Sequence, residues 1–354
     1  MMNKYIIRFS LVLLGLVIFG QGCLNGGGAS TGPDGGVFKT TDRGEAWTQK
    51  RVLLQGPKAI SLGNDAITLL MFDPQDRNTV YAGTSERGLL FTLNGGDSWQ
   101  EASANLKGNI SAIAVDYKNK CVVYAAIKNG IYKTENCSRD WSRIFFDPKT
   151  DKVFTALAVD WYNPTILYAG TSEGDIFKST DAGLSWLVSQ RVNGPVTSIG
   201  IDPKDSRMVY IGARGDGLWK TLDGGNTWMR IRDPLQDFEN ARRVTDIDID
   251  PQDTNRLYIT SPYGILVSTD AGNTWSPVPL TSQPNTVDIR GFVINPRNTK
   301  ELTYITKNTI NFSSDGGITW TVKKLPSTRR ADALLVDPEN GGTLYIGMGP
   351  ATQQ

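Results

Sequence analysis

The 354-residue chain has no histidine. Imidazole is therefore missing as a general base, as the centre of a Ser-His-Asp triad and as the commonest zinc ligand. Any chemistry would have to run on carboxylates, lysine, tyrosine or arginine. Cysteine is nearly absent too, with three residues, Cys23, Cys121 and Cys137. An excess of either charge is also missing: 37 Lys and Arg face 36 Asp and Glu, a formal +1. Setting aside Lys4 and Arg8 in the leader lowers this by two, to −1, so no global attraction to nucleic acid or an acidic membrane follows.

What is present begins with a leader. Residues 1–22 have a basic start, an apolar run from Phe9 to Phe19 too short for a comfortable membrane span, and small residues before Cys23. This is the pattern of a secretory signal. Its end, Gly20-Gln21-Gly22-Cys23, resembles a bacterial lipoprotein processing site, although such sites usually carry an aliphatic residue where Gly20 stands. The expectation is an exported protein held at the cell-envelope membrane by a lipidated Cys23, the alternative being a soluble secreted one. Residues 23–35 have the Gly/Ser/Pro composition of a flexible tether, spanning roughly 20 Å on average.

From there the chain repeats itself. TTDRGEAW ends at Trp47 and TLNGGDSW at Trp99, and related strings end at Trp141, Trp186, Trp228, Trp275 and Trp320, 42 to 52 residues apart. A second element keeps step: an apolar strand, a turn opening at Asp73, Asp116, Asp160, Asp202, Asp250, Asn295 or Asp337, and a strand containing Tyr. Four short strands per period cannot bury both faces of their sheet alone, so the sheets must stack. The chain opens at Gly36 with the last two strands of a unit and stops near Gly347 after the first two of another. The expectation is an all-β fold, a single seven-bladed β-propeller of four-stranded antiparallel blades over 36–348, closed by N- and C-terminal strands sharing one blade, with 349–354 a tail.

These S/T-x-D-x-G-x-T-W strings are similar to Asp-box (BNR-type) repeats. Together with YAGT and FKSTDAG, they resemble the propellers of sortilin-type receptors, xyloglucanases and photosystem II assembly-factor-like proteins. That resemblance implies the fold, and it implies that the repeated turns are structural and lie away from the ligand face. It leaves function open, because such propellers host enzymes, receptors and assembly factors.

The residues agree with the structural role. Asp42, Asn94, Asp181, Asp223, Asp270 and Asp315 can each accept backbone N–H groups within their own turn, and a turn present on every blade cannot converge on one ligand. The third copy, Thr134 to Trp141, has Ser138 where glycine belongs. Pairing of its flanking strands about Ile127 to Gly130 would set residue 121 opposite 136, so a Cys121–Cys137 disulfide is expected there.

By elimination the opposite, loop-bearing face should carry function. Arginines gather there: Arg87, Arg214, Arg242, Arg243, Arg290, Arg329 and Arg330. They read either as a solvated rim or as a patch for carboxylates, phosphates or acidic protein loops. Arg214-Gly-Asp216 resembles an adhesion tripeptide, a string short enough to arise by chance. On the inner strands only one unit carries acids both two and four residues before its anchor, Asp246 and Asp248 before Asp250, and Asp332 stands in a position usually held by Thr or Ser. The run is not an EF-hand, since Pro251 and Leu257 occupy the required Gly and Glu positions. Asp246, Asp248 and Asp332 form either an internal salt-bridge network with arginine or a ligand site.

The leading expectation is a non-catalytic monomeric lipoprotein that offers its loop face to a partner protein or a cell-envelope polymer. It includes no cofactor, no metal and no nucleic acid. The alternative is a glycoside hydrolase-like enzyme using Asp246, Asp248 and Asp332.

Overall fold

Strands in the computed structural model, which describes residues 34–231 and 233–351, lie in seven sheets. The leader, Cys23, the tether up to residue 33 and tail residues 352–354 lie outside the described residues. Seven inner strands contact one another in cyclic order, the last returning to the first. We number the blades by them: Ile67–Asp73 (blade 1), Ile110–Val115 (2), Phe154–Val159 (3), Val196–Ile201 (4), Asp246–Ile249 (5), Gly291–Ile294 (6) and Ala331–Val336 (7). The ring closes as the repeat phase requires. In blade 7, Gly36–Thr40 pairs antiparallel with Leu344–Met348, setting Gly36 opposite Met348, and Thr48–Lys50 forms the outer edge.

One blade departs from four strands. Val52–Gln55 and Lys58–Ser61 form a hairpin that joins blade 1 through a parallel pairing of Val52–Gln55 with Trp99–Glu101, making six strands. The chain leaves blade 7 at Lys50, so this hairpin straps the closing blade to the next. Leu53 and Trp99 are fully buried beneath it, and the Trp99 indole donates to the Lys50 carbonyl at 3.0 Å. Apolar burial under the strap is what draws the extra strands onto the sheet.

The repeated residues each have a mechanical task. Small side chains on one blade receive bulky ones from the next: Ala112 and Ala114 of blade 2 pack in one core with Phe154, Leu157 and Val159 of blade 3. The Gly of the YAG string allows that approach. A Cβ on Gly170 would stand 2.2 Å from Val196, and one on Gly347 would stand 2.6 Å from Ile67. The string's Tyr reaches across the seam: Tyr124, Tyr168 and Tyr345 donate to the carbonyls of Ala182, Gly224 and Gly95, each in the next blade's repeated turn.

The Asp270 turn shows the common chemistry. Its Oδ1 accepts from the Ser268 hydroxyl at 2.8 Å and the Thr274 amide at 2.8 Å, while Oδ2 accepts from the Thr274 hydroxyl at 2.6 Å. Asp181, Asp223 and Asp315 repeat all three bonds, whereas Asp42 and Asn94 keep the two to Oδ1, and the Asn94 amide donates to the Ser98 hydroxyl. Hydrogen bonds to the ionised form hold these carboxyls low. Led by the Ser185 hydroxyl for Asp181 and the Thr274 hydroxyl for Asp270, those two fall to about 2.

Every such turn is also tied to the turn between its blade's first two strands by one backbone bond, as in Ala271 N–H to the Asn255 carbonyl at 2.8 Å. Both sets of turns therefore share one face of the ring. In blade 2 the bond runs from Cys137 N–H to the Cys121 carbonyl, and the same two residues form the disulfide. Antiparallel register sets Val123 opposite Thr134, and continuing it sets 121 opposite 136, as expected. The other turns reach two successive positive φ angles with at least one glycine, whereas this one uses Cys137 at 58° and Ser138 at 65°. A covalent tie thus stands where a conformation unfavourable to side chains must be held.

Candidate functional site

The loop face is built from the connections between second and third strands and from one blade to the next. The chain brings seven candidate arginines there and treats them in two ways. Four are engaged with acids. Arg87 bridges Asp65 at 2.9 Å and Glu101 at 3.1 Å. Arg290 pairs with Asp288 at 2.6 Å and with Asp332 at 2.7 Å, and Arg330 reaches the same Asp332 at 3.0 Å. Arg329 is 9% exposed, and binds Asp34 at 3.2 Å and the Asn64 carbonyl at 3.2 Å. The Asp34 carboxylate also accepts from the Ser327 and Thr328 hydroxyls, so Arg329 helps fix the start of the described chain to the rim.

The other three, Arg214, Arg242 and Arg243, lie together without such partners. The loop Arg214 to Gly217 of blade 4 meets the blade 4–5 connection through an Arg214–Arg243 bridge and through the Gly215 and Gly217 amides, which donate to the Arg242 carbonyl at 2.9 and 3.0 Å. Their side chains make no ion pair or hydrogen bond with the described residues, and Arg214 and Arg243 are exposed. Asp216, next to them, is 1% exposed and holds Arg230, the Trp219 indole at 3.0 Å and the Asn193 amide at 3.0 Å. Arg214-Gly-Asp216 is therefore not an exposed adhesion tripeptide. Its Asp braces the loop, and its Arg is free to meet an anion.

Asp246 and Asp248 behave differently from an ion-pair network. They share one face of the blade 5 inner strand, across from Thr260 and Tyr258 on its neighbour. The flanking inner strands, Val196–Ile201 and Gly291–Ile294, carry no ionisable side chain. Asp332 takes up Arg290 and Arg330, and the blade 5 pair has no ion-pair partner among the described residues. Burial pushes the Asp246 carboxyl up to about 6. Asp248 is driven well above the usual carboxylate range by burial and then by the charge of Asp246. Its Oδ2 is sealed from solvent without a hydrogen-bond partner. No group of three His, Cys, Asp or Glu side chains among the described residues is arranged to hold a metal ion.

With the geometry described, the chain can be set beside known proteins. No family model matches it. A curated xyloglucanase of Hypocrea jecorina (strain QM6a) is 27% identical over 262 residues, covering 66% of this chain and 28% of the enzyme. Among solved structures, the GH74 xyloglucanase of Xanthomonas campestris superposes with a TM-score of 0.66 at 17% identity, over 81% of this chain and 51% of that one. A structure of YCF48 bound to D1 peptide gives 0.62 at 16% identity, over 82% of this chain and 94% of YCF48. At these identities the structural matches establish the seven-bladed fold alone. The chain spans just over a quarter of the curated enzyme and about half of the GH74 structure.

Sequence reasoning found the loop-face arginines but could not sort paired from unpaired. It missed a feature at the other end of the channel. Five blades carry Pro after the anchor residue, whereas blades 2 and 3 carry Tyr117 and Trp161. That contrast was available in the repeat alignment.

Proposed function

We propose that this chain is a non-catalytic binding propeller that captures an anionic segment of a partner protein through Arg214, Arg242 and Arg243. The observation that carries this reading is the division among the loop-face arginines: four already engage acids, and three adjacent ones have no partner. Guanidinium groups suit carboxylates and phosphates through paired N–H donors, and an unengaged cluster on a rigid ring loses little of its own bonding on binding. The YCF48 structure, matched over nearly its whole chain, is described as bound to a peptide, which supports a peptide-binding use of such a ring. In this reading residues 1–22 are an export signal, Cys23 carries the lipid anchor and the tether runs from there to residue 33, because Asp34 and Gly35 are already bound to the ring.

Crosslinked pull-down from the native envelope tests it, comparing wild type with Arg214→Ala/Arg242→Ala/Arg243→Ala and with Arg330→Ala, whose side chain is already paired. The triple variant should lose the partner at least tenfold, given about 1.5–3 kcal/mol for each charge-assisted hydrogen bond lost, and Arg330→Ala should retain it. An unchanged partner list in the triple variant would defeat the reading. Loss of lipid labelling in Cys23→Ser is the corresponding test of the anchor.

The second reading is a glycoside hydrolase, favoured by the match to the xyloglucanase. Turnover on a glycan panel, abolished by Asp246→Asn or Asp248→Asn, would establish it in place of the first.

A further inference from the structure

The central channel opens on the face of the repeated turns into two adjoining cavities. One, of about 410 Å³, is walled by blades 1 to 4, among them Met71, Ala114, Ala158 and Ile199. The small residues two before the anchors of blades 2 and 3 leave this room, where blade 1 places Met71. Tyr117 and Trp161 rim it, and the Trp161 indole is fixed by donating to the Asp202 carbonyl at 2.8 Å. Apart from the Tyr117 phenol, its lining contains no ionisable side chain. The second cavity, about 350 Å³, is walled by blades 4 to 7, and Ile201 and Pro203 line both. Its lining has a single charged residue, Asp248.

We propose that this channel mouth binds a small hydrophobic cation, an amine with an apolar ring or chain. The apolar body would lie against Ala114, Ala158 and the Trp161 rim, and the ammonium would meet Asp248. Two independent observations converge on that class. The larger cavity is within the size range of small-molecule sites, offers aromatic and aliphatic surface, and repels a charged body by its lack of polar partners. In the wall of the adjoining cavity stands Asp248, a carboxylate with no ion pair among the described residues. A ligand cation would supply the missing ion-pair partner. The site is on the opposite face from the arginine cluster and stands or falls independently of it.

Calorimetric titration at pH 8 with 1-naphthylmethylamine, 1-naphthylmethanol and 1-naphthoate separates the possibilities. The amine should bind at least tenfold tighter than the alcohol, and naphthoate should bind weakest. Asp248→Asn should bring the amine to within about twofold of the alcohol, and Ala158→Phe, which fills the larger cavity, should abolish binding of both. Far-ultraviolet circular dichroism and a cooperative thermal melt confirm that each variant is folded. The proposal is overturned by no amine binding to wild type, by an alcohol or naphthoate affinity equal to that of the amine, or by amine binding unchanged in a folded Asp248→Asn or Ala158→Phe variant.

Discussion

Replacing Asp246 by Asn should stabilise the ring, and only above a definite pH. Its carboxyl is raised from 3.8 to about 6, chiefly by burial. Between about pH 4 and pH 6 the folded protein keeps a proton that the unfolded chain has released, so stability falls as pH rises through that window and the loss is complete above it. A shift of this size corresponds to about 3 kcal/mol at 1.36 kcal/mol per unit. Partial access from the channel screens the charge, which leaves about 1–3 kcal/mol. Asn keeps the shape and cannot ionise, and its neutrality also relieves Asp248, whose carboxyl is raised in part by the Asp246 charge. Thermal melts of wild type and Asp246→Asn should coincide near pH 3.5 and separate progressively to pH 7, the variant melting a few degrees higher. A separation that does not change between pH 4 and pH 8, or a variant less stable than wild type at pH 8, would refute the claim that this carboxylate is buried without a cation.

Two further outcomes concern the turns. Cys121→Ser/Cys137→Ser should cost about 3 kcal/mol from the closed loop of 16-residue separation, read as a lowered urea midpoint, while thiol titration of the folded oxidised wild type should find neither cysteine reactive. Asp270→Ala removes the acceptor for the Ser268 and Thr274 hydroxyls and the Thr274 amide, and should cost about 1–2 kcal/mol in the same assay. Partner retention should be unaffected in Asp270→Ala, because this turn lies on the face opposite the arginine cluster.

The ring was legible because its information is periodic. Trp, Tyr and turn residues recur at a blade's length, and the phase of the half units at Gly36 and Gly347 specifies closure without any tertiary knowledge. The strap at 52–61 broke the period and so escaped, although its short apolar runs, Val52-Leu53-Leu54 and Ala59-Ile60, on either side of Gly56-Pro57 carry a local hairpin signal. The arginines were found by position but not by state. Whether a guanidinium is free depends on acids that the fold brings from elsewhere, such as Asp34 to Arg329 across nearly the whole chain, and Asp332 to Arg290 from an adjacent blade. The same holds for Asp246 and Asp248. Their alternation on one face was readable, whereas the diversion of the nearby arginines to Asp332 is a consequence of packing. Tyr117 and Trp161 were readable in the alignment and were passed over because their face had been set aside as structural.

The geometry of the blade 5 acids also bears on the enzyme reading. Paired-carboxylate hydrolysis needs two carboxyl groups flanking the scissile bond, one able to donate a proton and the other charged. Asp246 and Asp248 differ in that both stand on one face of one strand, both are raised by burial, and one oxygen of Asp248 is sealed from solvent. They can share a proton or hold a cation, but they cannot approach a glycosidic bond from opposite sides. Asp332, the remaining acid considered for that chemistry, is held between Arg290 at 2.7 Å and Arg330 at 3.0 Å, so its carboxylate is already engaged within the rim. Asp246 and Asp248 therefore do not form the flanking pair such hydrolysis needs, and a hydrolytic role would require a further carboxylate opposite them.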